Sequence, residues 1–180
     1  MSAIAQLYQH YKDCNYTVCT DTRNIIPGSV FFALNGANFD ANTFAAQALD
    51  KGAALAVIDN PAFEQTGTFL VDDTLKTLQN LALYHRKTFR MPFIGIGGSN
   101  GKTTTKELVH SVLSQKFKTV STPGNLNNHI GVTLTILGIK TDVEIAVIEL
   151  GANKIGDVEE LCGIADPDYG IITNIGKEHL

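Results

Sequence analysis

The sequence has no cluster of lysines and arginines, few cysteines and no long apolar run. Its 14 basic residues against 18 acidic ones give a net charge of −4. That balance argues against a general nucleic-acid surface, while leaving room for a local basic pocket for a phosphorylated small molecule. The longest apolar runs, such as Ile145–Ile148, fall far short of the ~20 residues that a membrane-spanning helix needs. The three cysteines, Cys14, Cys19 and Cys162, are odd in number and lack metal-ligand spacing, so they read as ordinary reduced thiols. The opening stretch MSAIAQLYQHYKD is amphipathic and broken by polar residues, unlike a secretory signal, and a cytosolic protein is expected. No internal repeat or low-complexity tract is present.

What is there is enough for a real core. A length of 180 residues, 44% of them hydrophobic, allows one ordinary domain or two small ones. In the first half, Ile4, Leu7, Tyr8 and Tyr11 fall at helical spacing, and Val30–Leu34 read as a strand after the turn at Pro27-Gly28. A polar loop over 35–42 leads into a helix over about 43–51. Strands follow over Ala53–Asp59 and Thr68–Val71, then a long helix running to about Phe89. Met91-Pro92 interrupts the chain. Beyond it short apolar strands (93–96, 118–121, 144–149, 169–173) alternate with helices (102–116, 128–138, 156–164). That alternation predicts parallel βαβ crossovers. The expectation is an α/β protein of two domains, 1–88 and 89–180, divided near residues 86–92.

The segment from Phe93 to Thr105 carries the strongest chemical signal. A buried strand runs into Gly97-Gly98-Ser99-Asn100-Gly101-Lys102-Thr103-Thr104, which opens a helix with Leu108, Val109, Val112 and Leu113 on its apolar side. Glycines let backbone N–H groups converge on a phosphate, and the helix N-terminus adds positive potential. Lys102 would neutralise β- and γ-phosphates and the Thr103 hydroxyl would ligate Mg²⁺. The general phosphate-loop signature is not met to the letter, because Ile96 stands where its first glycine belongs.

Glu149 closes the apolar run Ile145–Ile148. Open parallel sheets bind ligands at the C-terminal tips of their strands, so this carboxylate reads as a Mg²⁺ ligand or as a solvated strand-end acid. Asn125, Asn127 and Asn128 follow another strand and open a helix. Their amides suit phosphate, ribose or a reacting carboxylate, and equally suit helix capping. His179 follows the last strand, either as a surface residue or beside the metal and phosphate. His10, His85 and His110 receive no role, and His129 is left open.

Gly98–Thr104, Gly124–Gly131, Glu149-Leu150-Gly151-Ala152 and Thr173–His179 resemble, in order, the motifs of the Mur ligases, which build the peptide stem of bacterial peptidoglycan. Asp21-Thr22-Arg23 and Pro27–Leu34 resemble the family's uridine-nucleotide-binding domain. The resemblance implies a small N-terminal α/β uridine-nucleotide-binding domain followed by a truncated P-loop parallel-sheet domain. It implies ATP at Gly98, Ser99, Asn100, Gly101, Lys102, Thr103 and Thr104, with Asn127 and Asn128 lining the nucleotide and acyl-phosphate region. Mg²⁺ would lie at Thr103, Glu149 and His179, with Lys102 and His179 in catalytic roles. Asp21, Thr22 and Arg23 would hold the uridine diphosphate end of the substrate. The paired asparagines point to the member that joins D-alanyl-D-alanine to a UDP-N-acetylmuramoyl-tripeptide through an acyl phosphate. The expected partners are these small molecules, with no nucleic acid, no membrane span and a monomeric state.

The sequence also departs from the family pattern. Gly97 stands where threonine is usual, Thr133 where proline is common, and Ala41-Asn42 where Gly-His is usual. Family members also carry a third domain and a carbamylated lysine beyond the histidine motif. The chain is therefore expected to be an N-terminal fragment, inactive alone. Another Mur-type amino acid ligase and a non-catalytic nucleotide-binding module are the alternatives. A kinase or GTPase fits the ordered downstream motifs poorly.

Overall fold

A computed structural model describes residues 2–36 and 39–176. The chain divides into two compact units, 1–81 and 82–180.

In the first unit, helix α1 (Ala3–Asp13) buries Leu7 and Tyr11 completely. Four strands follow: β1 (Val18–Cys19), β2 (Val30–Phe32), β3 (Leu55–Ile58) and β4 (Thr68–Leu70). They form a parallel sheet in the order β1-β2-β3-β4, with Phe31 opposite Ala56 and Val57 opposite Phe69. β1 is too short to stand out as a periodic pattern, which is why the sequence reading passes over it. Every residue of β2 and β3 is buried. This is why both read as unbroken apolar runs rather than alternating ones. Short α2 (Ala45–Asp50) turns Ala45 and Ala48 into a cluster with Phe31, Ala53, Ala56 and Ile58. These small side chains let the helix lie close on the sheet. Helix α3 (Thr74–Arg86) begins in this unit and ends in the next.

The second unit alternates strictly. Strand β5 (Phe93–Gly97) precedes α4 (Lys102–Leu113), and β6 (Thr119–Ser121) precedes α5 (His129–Leu137). Then β7 (Ile145–Glu149), α6 (Asp157–Ala165) and β8 (Tyr169–Ile172) complete the described part. All strands are parallel, in the order β6-β7-β5-β8. β5 and β7 occupy the centre and are almost wholly buried, whereas β8 is exposed along its length. From β5 the chain crosses to β6 on one side, and from β7 it crosses to β8 on the other. The two central strands are thus neighbours whose connections leave in opposite directions. Their C-terminal tips form the crevice in which such sheets bind ligands.

The helical stripe of α4 differs from the expected one. Leu108 and Val112 are 63% and 70% exposed, while Lys106 is fully buried. Lys106, Val109 and Leu113 follow one another at the i+3 and i+4 spacing of a single helix face, so the inward face carries a lysine where an aliphatic residue is expected.

Two polar residues anchor the second unit where α3 ends. The Arg86 guanidinium donates to the Ala165 and Asp166 carbonyls at 3.2 and 3.0 Å and to Asp168 at 2.9 Å, and lies 4.0 Å over the Phe93 ring. Asp168 in turn accepts from the Phe93 amide at 2.8 Å. The guanidinium is almost fully buried and Asp168 about half exposed. Arg86→Ala is therefore expected to lower the unfolding free energy by about 2 kcal/mol, below the full cost of breaking a buried pair. Urea titration of the chain measures it.

Candidate functional site

The loop between β5 and α4 is shaped by glycines and by a distant strap. Gly98 has φ +123°, and a Cβ there would meet the Thr173 Oγ1 at 2.2 Å, so this position admits only glycine. Gly101, at φ +79°, turns the chain left-handed immediately before α4. The segment following β8 lies across the loop. The Ser99 amide donates to the Asn174 carbonyl at 3.1 Å, and the Asn100 amide to the Asn174 side-chain oxygen at 2.9 Å. The Thr173 hydroxyl donates to the Asn100 carbonyl at 2.7 Å, and the Gly176 amide to the Ser99 hydroxyl at 2.8 Å. Ladder bonds in α4 start with Thr105 N–H donating to Gly101, so the amides of Lys102, Thr103 and Thr104 precede it at the positive helix end. The Lys102 ammonium folds back over the loop, donating to the carbonyls of Gly98 at 2.6 Å and Ser99 at 2.8 Å.

Glu149, at the tip of β7, is 1% exposed. Its Oε1 accepts from the Thr103 hydroxyl at 3.0 Å and from the Asn127 side-chain Nδ2 at 2.8 Å. Its backbone amide donates to the Thr122 hydroxyl at 2.9 Å. The other oxygen, Oε2, is buried without a hydrogen-bond partner, and the Lys106 ammonium lies 3.8 Å from it. A buried carboxylate oxygen lacking a partner, beside a threonine hydroxyl at a helix N-terminus, is a hard-oxygen donor set that fits Mg²⁺.

Asn127 reaches Glu149 because Gly151 has no side chain. A Cβ at Gly151 would sit 2.7 Å from the Asn127 Oδ1, and the Gly151 amide donates to the Asn127 carbonyl at 2.8 Å. Asn128 takes a different part. Its side-chain oxygen caps α5, accepting from the Ile130 and Gly131 amides at 3.1 and 2.8 Å. The structure therefore brings Thr103, Asn127 and Glu149 together and leaves Asn128 to the helix end. His179 lies outside the described residues. Lys106 and Thr122 are neighbours of Glu149 that sequence reasoning overlooked, and Thr173 and Asn174 were read only as part of a motif, with no role of their own. Lys106 stands one turn beyond Thr103, the one legible sign, but a helical lysine ordinarily reads as solvated.

Asp21, Thr22 and Arg23 lie in the first unit, in a single helical turn just past β1. Asp21 accepts from the Arg23 amide and pairs with its guanidinium at 2.8 Å, while Lys51 donates to the Thr22 carbonyl at 2.7 Å. The Arg23 bond, above all, holds the Asp21 carboxyl down to a pKa of about 2. At the tips of β2 and β3, Asn42 is 1% exposed and donates to Asp59 at 2.8 Å and to Asp40 at 2.7 Å. Asp59 also accepts from the Asn35 side chain at 2.9 Å and from the Thr74 amide at 3.1 Å. The unusual Ala41-Asn42 pair is thus committed to structure, with Asn42 tying the loop at 40–42 to β3.

Burial alone would raise the Asp59 carboxyl, but the bonds from Asn42, Thr74 and Asn35 outweigh it and hold the group below the usual carboxylate range. A carboxyl lowered in the folded state contributes stability that is present above its unfolded pKa of about 3.9 and is lost as pH falls through the folded value. Asp59→Asn is expected to be less stable than the wild type at pH 7, with the gap narrowing as pH drops below about 4. Urea midpoints across that range read it directly, and a gap that widens towards acid would contradict it.

Residues 96–180 match the family model of the Mur ligase middle domain. The parallel sheet and the glycine-shaped loop that opens α4 lie in the unit that is similar to that middle domain. Similarity to particular members extends over both units. The UDP-N-acetylmuramoyl-tripeptide–D-alanyl-D-alanine ligase of Bacillus subtilis is 41% identical over 176 residues, 96% of this chain and 38% of that protein. The enzyme of the same name from Escherichia coli is 38% identical over 163 residues, 91% of this chain and 36% of that one. Among solved structures, MurF from Acinetobacter baumannii superposes with a TM-score of 0.86 at 38% identity, covering 91% of this chain and 36% of that one. MurF from Thermotoga maritima in complex with ADP gives 0.82 at 35% identity, over 89% and 38%. The chain thus spans less than two-fifths of the length of each of these. Among the described residues, no helix is long and apolar enough to cross a membrane.

Proposed function

We propose that this chain supplies the nucleotide- and metal-binding part of an ATP-dependent ligase that joins D-alanyl-D-alanine to a UDP-N-acetylmuramoyl-tripeptide. The observation that carries the proposal is the meeting of three elements at one sheet crevice. The glycine-shaped loop, the Thr103 hydroxyl and the buried Glu149 carboxylate converge there, in a chain similar to ligases of that name.

Phosphoryl transfer asks a protein mainly for positioning and charge neutralisation, and the residues present answer both. The Lys102 ammonium rests on two loop carbonyls, and on this reading it turns from them to the β- and γ-phosphates of ATP. Amides at the start of α4 and the loop from Gly98 to Thr104 cradle the same groups. Thr103 and Glu149 would hold Mg²⁺, which when bound supplies further charge neutralisation. Asn127 keeps the Glu149 carboxylate turned toward Thr103, and Asn128 serves the same region by capping α5. His179 is assigned to the metal and phosphate end on the strength of its motif. Asp21, Thr22 and Arg23 are assigned to the uridine diphosphate end, the exposed Arg23 guanidinium being suited to a bidentate phosphate contact. In the reaction proposed, the substrate carboxylate takes the γ-phosphoryl group to give an acyl phosphate. The amine of D-alanyl-D-alanine then displaces phosphate.

On this reading the partners are small molecules, the working form is monomeric and the location is cytoplasmic. The 180-residue chain by itself is expected to form no amide product, since the ligases it resembles are more than twice as long. Binding is the informative test. Calorimetric titration of ADP with Mg²⁺ into the chain is expected to show saturable binding, and Lys102→Met to weaken it at least about tenfold, or ~1.4 kcal/mol. Wild-type chain that gives no saturable heat, or a Lys102→Met variant that binds as tightly, would refute the proposal.

A further inference from the structure

Among the described residues Lys106 is the most deeply buried cation, at 0% exposure, and nothing in the phosphate-binding scheme above uses it. Taking an ammonium out of water costs several kcal/mol unless its protons and charge are met. Here all three protons have acceptors: the Thr122 carbonyl at 2.7 Å, the Gly124 carbonyl at 2.7 Å and the Glu107 carboxylate at 2.9 Å. Two of those acceptors belong to the loop that leads into Asn127. On its remaining side lies the Glu149 Oε2, 3.8 Å away and without a hydrogen bond.

The Glu149 carboxylate is therefore divided. One oxygen is held by Thr103 and Asn127, and the other has only a neighbouring positive charge to favour its placement. Remove that charge, and a 1%-exposed carboxylate is left with an unmet oxygen in a low-dielectric setting. At the same time the loop at 122–124 loses its two bonds to α4, and that loop carries both the Thr122 hydroxyl that receives the Glu149 amide and the approach to Asn127. A purely structural lysine would brace one segment. This one touches each of the elements that aim the carboxylate.

We infer that Lys106 is a positioning residue for the metal-binding end of the phosphate site, fixing the direction of the Glu149 carboxylate and the loop that carries Asn127. This rests on the reading of Thr103 and Glu149 as Mg²⁺ ligands. The inference adds that their competence depends on a cation one helical turn away that touches no substrate.

The test compares the 180-residue chain with Lys106→Met, Glu149→Gln and the double variant. ADP affinity is measured calorimetrically in excess EDTA and in excess Mg²⁺, and the ratio of the two dissociation constants gives the metal-dependent gain. In Lys106→Met that gain is expected to fall at least tenfold. A variant with the wild-type ratio overturns the inference and leaves the proposed function standing. A wild-type chain with no metal-dependent gain removes the proposed function first, and the inference with it. Melting temperatures provide a second arm that needs no nucleotide. Lys106→Met is expected to melt lower than wild type, and adding Glu149→Gln, which removes the stranded charge, to recover at least half of that loss. A double variant as unstable as Lys106→Met alone, including one that fails to fold, overturns the inference.

Discussion

The site depends on the pairing of β5 with β7. Their parallel register sets Ile96 opposite Glu149, which places the carboxylate beside the point where the chain leaves β5 for the phosphate loop. Side chains alternate across a sheet, so a slip of one residue would turn Glu149 to the opposite face. The wholly apolar run before it, buried on both faces, resists such a slip. The hydrophobic core and the polar site are two consequences of one register. Thr103 and Asn127, 46 and 22 residues from Glu149 in sequence, meet the same oxygen only because that register holds.

A second long-range pairing shapes the loop itself. β8 lies along β5, and the residues just beyond it bind Ser99 and Asn100 through Thr173, Asn174 and Gly176. Glycine permits the backbone path at Gly98 and Gly101 but does not select it. Selection comes from a strap some 75 residues downstream, made by the protein's own hydrogen bonds. Such preorganisation lowers the cost of ordering the loop around phosphate.

The buried polar groups follow one economy throughout. Half-buried Asp59 in the first unit, and buried Arg86 and Lys106 in the second, are each met by several partners from separate segments. Satisfied networks of this kind specify a single arrangement of loops more sharply than apolar contacts do. Asp59 and the carbonyls bound by Lys106 follow the C-terminal ends of strands, the edge where such sheets bind ligands, whereas Arg86 braces the opposite end, where β5 and β8 begin. Glu149 Oε2 is one of two buried side-chain atoms among the described residues left without a hydrogen bond, the other being the Ser29 hydroxyl. The carboxylate oxygen belongs to the residue best placed to use a metal.

Much was legible in the residues alone. Unbroken apolar runs bounded by turns gave the buried strands, helical spacing gave the crossovers, and the glycine-lysine-threonine segment gave the tight loop that opens α4, because each of these signals is local. Glu149 was legible as the acid ending an apolar strand. Asn127 and Asn128 were not separable by sequence, since both are amides before a helix; only the fold turned one to the carboxylate and gave the other to the helix end. Lys106 was illegible for a stronger reason. A lysine on a helix is solvated by default, and its burial follows from how α4 lies on the sheet and where the loop at 122–124 passes. Residue type and spacing determined which segments fold and which carry chemistry. Tertiary structure decided which side chains meet, because hydrogen bonds and charge pairing act over a few ångströms between atoms that the chain holds dozens of residues apart.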